Sequence, residues 1–314
     1  MRSFPSKKER HAQFGSVPPS ARTKPCQKED MIDIQQTEQD FYFDLEQVGI
    51  CRVSYPVHIL SKTAPEHQTS SADFTLSTYL PAHQKGIHMS RLTEQLHSFY
   101  ESGKPVDVDS LKELTAQLAT HMNQPSASIQ VSFPWYMEKK SPISGKSGLM
   151  HADVQYDIHF HEENGWICHI GCTAQVTTLC PCSKEISEYG AHNQRGTVSI
   201  QVELFEQGQL PDDMKADLLQ IIESNASAPL YPVLKRPDEK QVTEEAYENP
   251  RFVEDVARLI AAELYEQNWV KGFQIECRNE ESIHQHDAYA KCSYQKNCRM
   301  SLQFFCQPLF FITF

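Results

Sequence analysis

The sequence lacks both a long apolar run and an excess of positive charge. No stretch of about 18 or more apolar residues occurs, so no membrane-spanning helix is predicted. The N-terminus has no apolar signal core, which makes the cytoplasm the expected compartment. The chain carries 29 Lys and Arg against 41 Asp and Glu, a formal net charge of −12. Nonspecific nucleic-acid binding needs a basic surface, so neither nucleic acid nor a membrane is an expected partner.

The 10 cysteines also lack the compact spacing of a secreted disulfide scaffold. In a reducing compartment, their thiols serve packing, metal binding or catalysis. The hydrophobic fraction of 39% supplies a normal core, and 314 residues are enough for two ordinary domains or for one duplicated domain.

The chain divides into four parts by composition and pattern. Residues 1–40 are polar and predict a flexible extension, and the folded part is expected to begin near Val48. Residues 48–162 predict two strands, two helices and two further strands, and residues 163–295 repeat that order. Residues 296–314 form an apolar tail for which no role is predicted.

Two tandem ββααββ units predict an α+β fold in which a helix pair buries one face of each antiparallel sheet. Apolar residues at three- to four-residue spacing predict helices at 88–101, 110–122, 211–223 and 250–267. Strand patterns cover residues 51–60, 71–80, 126–136, 153–161, 166–178, 196–204, 269–278 and 286–291.

The connection between two of these strands concentrates reactive side chains. It holds Cys180, Cys182 and His192 together with the cations Lys184 and Arg195. Thiolate and imidazole are both ligands of zinc and of comparable divalent metals. The Cys-x-Cys pattern lacks the Cys-x-x-Cys spacing of structural zinc sites, so the loop alone fits a metal site and a buried thiol with a loop histidine equally well.

A second group, His284 and His286, lies at the start of the last predicted strand. An extended backbone points side chains two residues apart to the same face. Two imidazoles on one face can share a site, although an isolated His-x-His also fits a pair of surface histidines.

A third, charge-rich segment holds Lys235, Arg236 and Glu239 and leads to a predicted helix. Pro250 fits the first turn of that helix, which puts Glu254 about one turn in. By its composition alone, this segment is predicted to be solvated surface. The candidates for a basic pocket that binds phosphates are Lys235, Arg236, Lys184, Arg195 and, in the first half, Lys85, His88 and Arg91.

Taken together, these segments resemble the type IB GTP cyclohydrolases, metal-dependent enzymes that open the guanine ring of GTP at the start of folate biosynthesis. The resemblance covers residues 48–295. It rests on Val48-Gly49-Ile50 with Tyr55-Pro56-Val57, and on the segments 86–91, 180–195, 234–239, 247–255 and 281–289. It implies the tunnelling fold, with tandem ββαα units forming a barrel by oligomerisation, and a homotetramer with active sites at subunit interfaces.

The resemblance also implies a role for each candidate residue. A divalent metal ion (zinc, manganese or iron) would be bound by Cys180, His192 and Glu239. Cys180, Cys182, His284 and His286 would be catalytic, with the role of Cys182 open between ligand, acid and structural thiol. Glu254 would bind guanine, and GTP would be held by Lys184, Arg195, Lys235, Arg236, His88 and Arg91. The implied products are formate and 7,8-dihydroneopterin triphosphate.

Three other functions fit parts of the same pattern. A related cyclohydrolase would use the same metal and guanine anchor but release a cyclic phosphate. A deazaguanine nitrile reductase would use a catalytic thiol with NADPH, for which Cys182 is the candidate. A noncatalytic purine-binding module would hold zinc only as a structural element.

Overall fold

Eight strands form one antiparallel sheet, and their order in the sheet is their order in the chain. The structure, a computed structural model, describes residues 4–14, 27, 29, 31, 33–206 and 208–296. The strands are β1 (Leu45–Leu60), β2 (His67–Leu80), β3 (Ser126–Lys140), β4 (Ser147–His161), β5 (Gly165–Leu179), β6 (Asn193–Leu204), β7 (Val270–Glu280) and β8 (Ala288–Gln295).

Two helices connect β2 to β3 and three connect β6 to β7, so the predicted ββααββ order occurs in the first unit and recurs in the second with added helices. This arrangement confirms the α+β class and the tandem units. The helices are α1 (Lys7–Gln13), α2 (Met89–Glu101), α3 (Val108–Met122), α4 (Pro181–Ile186), α5 (Met214–Ser224), α6 (Arg236–Glu248) and α7 (Val253–Glu266).

The core lies between the helices and one face of the sheet. In β4, Val154, Tyr156 and Ile158 are buried, whereas Gln155 and Asp157 between them are only partly covered. Alternation of this kind is what a strand with one buried face requires. Helix α3 packs on β3 and β4, α5 packs on β5, and α7 packs on β7 and β8, so each unit is covered as predicted.

Three cysteine thiols belong to this core. Cys168, Cys172 and Cys277 are free and buried on the helix-covered face. Burial raises the pKa of Cys168 to about 11 and the pKa values of Cys172 and Cys277 to about 12. These thiols stay protonated at neutral pH and serve packing.

Gly49 explains one of the short motifs in the first unit. It pairs with Ser77 across β1 and β2, next to a register shift in that ladder. A Cβ atom built on Gly49 would lie 1.8 Å from the carbonyl oxygen of Leu76, a distance that no side chain tolerates. Only glycine allows the two backbones to approach this closely.

The two units are joined at Asp213, the residue that caps α5. Its carboxylate accepts hydrogen bonds from the Ser61 hydroxyl at 2.6 Å and from the backbone N–H of Lys62 at 2.8 Å. The ammonium group of Lys215 lies 2.9 Å away and also donates to the carbonyl oxygen of Leu60. A nearly buried ion pair therefore fastens the β1–β2 turn to the first helix of the second unit.

The antiparallel order sorts all connections to two ends of the sheet. Leu45 pairs with Leu80 at one end, which we call the Leu80 end. Leu179 pairs with Asn193 at the other, which we call the Cys180 end. Even-numbered strands finish at the Leu80 end and odd-numbered strands at the Cys180 end. The length of β5, 15 residues at ~3.3 Å each, separates the two ends by roughly 45–50 Å.

The structure departs from the predicted elements in three places. The predicted flexible extension contains α1 in its described part, where Phe14 packs against Phe41 and Tyr42. Helices α4 and α6 were not predicted, because both segments lack a periodic apolar face. The apolar tail, apart from Lys296, lies outside the described residues.

None of the helices in the described ranges is long and apolar enough to cross a membrane.

Candidate active site

Cys180 and His192 leave the β5–β6 ladder side by side. The last pair of that ladder is Leu179 with Asn193, and the backbone N–H of Cys180 then donates to the carbonyl oxygen of His192 at 3.1 Å. Cys180 and His192, twelve residues apart in the sequence, are therefore direct neighbours at the end of this strand pair. The structure places Cys180 and His192 of the predicted metal loop side by side through their backbones.

Helix α4 begins at this point because Cys180 caps it. Pro181 occupies the first turn, where a missing N–H costs nothing. The Cys180 sulfur accepts from the backbone N–H of Ser183 at 3.5 Å. The Ser183 hydroxyl donates to the Cys180 carbonyl oxygen at 3.1 Å and accepts from the His192 backbone N–H at 3.2 Å. Ser183 therefore holds the two sides of the loop together, while Cys182 is exposed.

The sequence analysis missed two side chains that contact the His192 ring and a third that contacts one of these two. Nδ1 of His192 lies 3.0 Å from the amide oxygen of Gln194 and 3.4 Å from the hydroxyl of Ser282. The amide nitrogen of Gln194 donates to Glu281 at 3.5 Å. The signal was a polar residue at a core-facing position: Gln194 is 8% exposed on a strand whose other inward positions are glycine and aliphatic residues.

His284 and His286 lie in the turn between β7 and β8, next to Glu281 and Ser282. Their rings stack with centroids 5.0 Å apart and planes 16° apart, and both side chains are exposed. The prediction that the last strand begins at His286 was wrong, since β8 begins at Ala288. The imidazoles nevertheless lie together, on a turn at the Cys180 end.

Glu254 lies in the first turn of α7, with an exposed carboxylate. The helix begins at Val253 rather than at Pro250, because the residues before it form hydrogen bonds outside the helix. The backbone N–H of Arg251 donates to the carbonyl oxygen of Leu179 at 3.0 Å, and the side chain of Asp255 accepts from the N–H of Phe252 at 3.1 Å. The start of α7 is therefore tied to the strand end that carries Cys180.

Lys184 makes a second connection between the loop and the same region. Its ammonium group donates to the carbonyl oxygen of Tyr247 at 2.5 Å and lies 4.3 Å from the centre of the Tyr247 ring. A cation over an aromatic face is attracted by the negative potential of the ring. Lys184 thus fastens α4 to the end of α6.

Helix α6 is anchored by Asp238, which is fully buried. Its carboxylate accepts from the backbone N–H groups of Ile143 and Ser144 at 2.8 and 2.7 Å, and from the Ser144 hydroxyl at 2.6 Å. Burial by itself would raise the pKa of Asp238, but these hydrogen bonds outweigh it and hold the pKa well below its usual range. The neighbouring Glu239 is exposed, as are Lys235 and Arg236 at the start of the helix.

The donors of this loop fit a divalent metal in part. The thiol of Cys180 and the imidazole of His192 have suitable chemistry, and the contacts of His192 Nδ1 leave Nε2 available. Within the described ranges, no three His, Cys, Asp or Glu side chains come together as a metal-holding group. One chain therefore offers two donors at this loop, and Glu239 is not brought to them.

The predicted basic residues are divided between the two ends of the sheet. Arg195 lies at the Cys180 end, where Nη1 donates to the Gln175 amide oxygen at 3.5 Å. His88 and Arg91 follow β2 at the Leu80 end, where they line a cavity of about 540 Å³. Nε2 of His88 lies 3.0 Å from a carboxylate oxygen of Asp33. One chain does not bring these two groups of cations together.

The fold and the loop define a class: a protein of two tandem α+β units with Cys180 beside His192, a histidine turn and a helix carboxylate at one end of its sheet. A family model described as type I GTP cyclohydrolase FolE2 matches residues 31–290, and the chain belongs to that family. It is 56% identical to GTP cyclohydrolase FolE2 of Bacillus licheniformis over 293 residues, which cover 93% of this chain and 98% of that protein. It is 55% identical to GTP cyclohydrolase FolE2 of Bacillus subtilis (strain 168), over 93% of this chain and 96% of the relative.

Solved structures of lower similarity include urate oxidase from Bacillus subtilis 168. That structure aligns over 80% of this chain and 98% of its own, with 6% sequence identity and a TM-score of 0.44.

Proposed function

We propose that this chain is a GTP cyclohydrolase of type IB, acting at the first step of tetrahydrofolate biosynthesis. It opens the guanine ring at C8 by hydrolysis, and a second hydrolysis releases formate and leads to 7,8-dihydroneopterin triphosphate. The observation that carries the proposal is the convergence of Cys180, His192 and the start of α7 at one strand end, through the Arg251–Leu179 hydrogen bond. Membership of the FolE2 family supports the same reaction.

Cys180 and His192 would hold a zinc, manganese or iron ion, with Glu239 as a third donor in at least one metal-bound form. A bound divalent ion supplies Lewis-acid chemistry, lowering the pKa of water toward ~7. Since Glu239 lies on a separate helix, its approach requires movement of α6 or a contribution from a second copy of the chain. The exposed Cys182 is left for an acid or structural role.

Glu254 would accept hydrogen bonds from the ring N–H and the exocyclic amine of guanine, a bidentate geometry that selects this base. His284 and His286 would hold the substrate and donate a proton to the imidazole-ring nitrogen of guanine as the C–N bond breaks. Both roles need the purine to lie between the helix start and the histidine turn. These two elements border the loop of Cys180 on its two sides.

His88 and Arg91 would bind the triphosphate of a GTP molecule held by another copy of the chain. The separation of roughly 45–50 Å between the sheet ends is several times the length of GTP, so one chain cannot use both ends on one substrate. A homotetramer with interface active sites, whose sheets close into a barrel, would bring the Leu80 end of one copy to the Cys180 end of another. Lys184, Arg195, Lys235 and Arg236 would complete the pocket from the Cys180 end.

The test is incubation of the metal-loaded protein with GTP, followed by assay of formate and of the oxidised, fluorescent pterin. We expect formate and pterin in equal amounts, with all three phosphates retained in one linear chain. A cyclic phosphate would assign the related reaction instead. Binding of GTP without formate, with zinc, manganese and iron each supplied, would contradict the proposal in favour of a binding module.

A further inference from the structure

The buried amide of Gln194 is an exception within β6. The inward positions of this strand are otherwise Gly196, Val198, Ile200 and Val202, yet Gln194 is 8% exposed. A buried amide is costly unless its hydrogen-bonding groups are matched. Both groups of Gln194 are matched, and both partners belong to the site.

The two contacts fix the orientation of the amide. Its nitrogen donates to the carboxylate of Glu281 at 3.5 Å, because a carboxylate can only accept. Its oxygen therefore faces Nδ1 of His192 at 3.0 Å. An amide oxygen also only accepts, so Nδ1 carries the proton. The Ser282 hydroxyl, 3.4 Å from the same nitrogen, is free to accept as well.

A proton on Nδ1 leaves the lone pair of the His192 ring on Nε2. Metal-binding histidines generally donate their other ring N–H to an acceptor that sets the tautomer and the direction of the ring. Gln194 occupies that position here. Through Glu281 it also touches the turn that holds His284 and His286.

We propose that Gln194 is a positioning residue that holds His192 in the Nδ1–H tautomer, ready to bind a divalent metal through Nε2, and that couples the metal loop to the histidine turn through Glu281. The inference rests on the proposed metal role of Cys180 and His192. Gln194 itself touches neither substrate nor metal.

The first test measures metal affinity directly, by titrating metal-free protein with Co²⁺ and recording the thiolate-to-metal absorption band. Gln194→Leu keeps most of the side-chain volume but removes the acceptor, and we expect its Co²⁺ affinity to fall about 10- to 100-fold. The matched control is Gln201→Leu on the same strand, which is expected to bind Co²⁺ like the wild type. Melting temperatures of the metal-free proteins establish that each variant is folded.

The second test separates the two contacts of the amide. Gln194→Glu still accepts from His192 but sets a carboxylate against Glu281, so Co²⁺ affinity should stay within about threefold of wild type while kcat falls at least about tenfold. The double variant Gln194→Glu with Glu281→Gln restores a donor–acceptor pair, and kcat should recover.

Unchanged Co²⁺ affinity in folded Gln194→Leu, or no recovery in the double variant, would overturn the inference. An inactive wild-type protein that still shows these affinity differences would instead overturn the proposed reaction. The two failures are therefore distinguishable. Where Gln194→Leu does not fold, Gln194→Met, which also lacks the acceptor oxygen, provides the affinity comparison.

Discussion

The backbone N–H of Arg251 is hydrogen-bonded to the carbonyl oxygen of Leu179, one residue before Cys180. This bond continues the hydrogen bonding of β5 beyond the sheet ladder and onto the segment that starts α7. It fixes the distance between the loop with the thiol and the helix with Glu254, without any contact between those two side chains. Side-chain substitutions in either element leave this connection intact, because only backbone atoms form it.

Cys180 and Cys182 should behave differently on substitution. Cys180→Ser is expected to lower Co²⁺ affinity at least about 100-fold and to abolish turnover, because a thiolate ligand is lost from the side of His192. Cys182→Ser, the matched control on the exposed face of α4, should retain the metal and a full thiolate-to-metal band from Cys180. Metal content after gel filtration checks both. Metal loss from the Cys182 variant alone would reverse the assignment.

Glu254 should determine the choice of purine. Glu254→Gln replaces one acceptor with a donor, and we expect kcat/KM for GTP to fall about 10²- to 10⁴-fold. Wild-type protein should discriminate against inosine triphosphate, which lacks the exocyclic amine, and the variant should lose most of that discrimination. Glu266→Gln, at the other end of α7 and equally exposed, is the control. Equal discrimination in the Glu254 variant and the wild type would contradict the anchor role.

Asp213 should make stability depend on pH in the acid range. Burial alone would raise its pKa, but hydrogen bonds from Ser61 and Lys215 outweigh burial and hold the pKa below its ordinary value. A lowered folded-state pKa means that the stabilisation is complete above the unfolded value of ~3.9 and is lost as pH falls through the folded value. Asp213→Asn should therefore cost roughly 2–4 kcal/mol of unfolding free energy at pH 7 and progressively less below pH ~4.

Urea unfolding of wild type and Asp213→Asn at several pH values measures this difference. Asp212→Asn is the matched control, because the Asp212 carboxylate is exposed and its ion-pair partner, the Lys62 ammonium, is exposed too. A constant difference between wild type and Asp213→Asn from pH 7 to pH ~3 would show that the charge of Asp213 contributes nothing.

Mixing two inactive variants should restore activity if active sites combine the two sheet ends of different copies. Cys180→Ala damages the Cys180 end and Arg91→Ala damages the Leu80 end. After subunit exchange in an equal mixture, about a quarter of the sites combine two intact ends, so roughly that share of wild-type activity is expected. In a mixture of Cys180→Ala with His192→Ala, every chain is damaged at the Cys180 end, so this mixture should stay inactive. Equal inactivity of both mixtures would place all contributions within one chain.

The fold was largely predictable because its strands alternate and its long helices carry periodic apolar faces. Helix α6 was missed because the only residues it buries are Asp238 and Ala246, so hydrophobic periodicity is absent. Pro237 in its first turn and the Lys240–Glu244 pair one turn later were the available signals. A proline in the first turn and a charged pair one turn later can indicate a helix that the hydrophobic pattern does not predict.

The sequence predicted the candidate reactive residues and not the side chains that support them. Cys180 and His192 became candidates because a thiol and an imidazole share one connection, and the resemblance to the GTP cyclohydrolases implied their role as metal ligands. Gln194 and Glu281 were not predicted, since Gln194 precedes the strand predicted at 196–204, and its inward position follows only from the observed start of β6 at Asn193. The turn that carries His284 and His286 is longer than predicted, because β8 begins at Ala288 and not at His286.

Strand order equal to chain order has a consequence for how the protein is made. Each new hairpin adds to an edge that is already present, so the first unit can serve as a template while the second is still being synthesised. Cys180, His192, Glu254 and the histidine turn are all in the second unit, and the turn comes last. A chain arrested at the end of β7 would therefore display seven strands without His284 and His286, the last of these groups to be made.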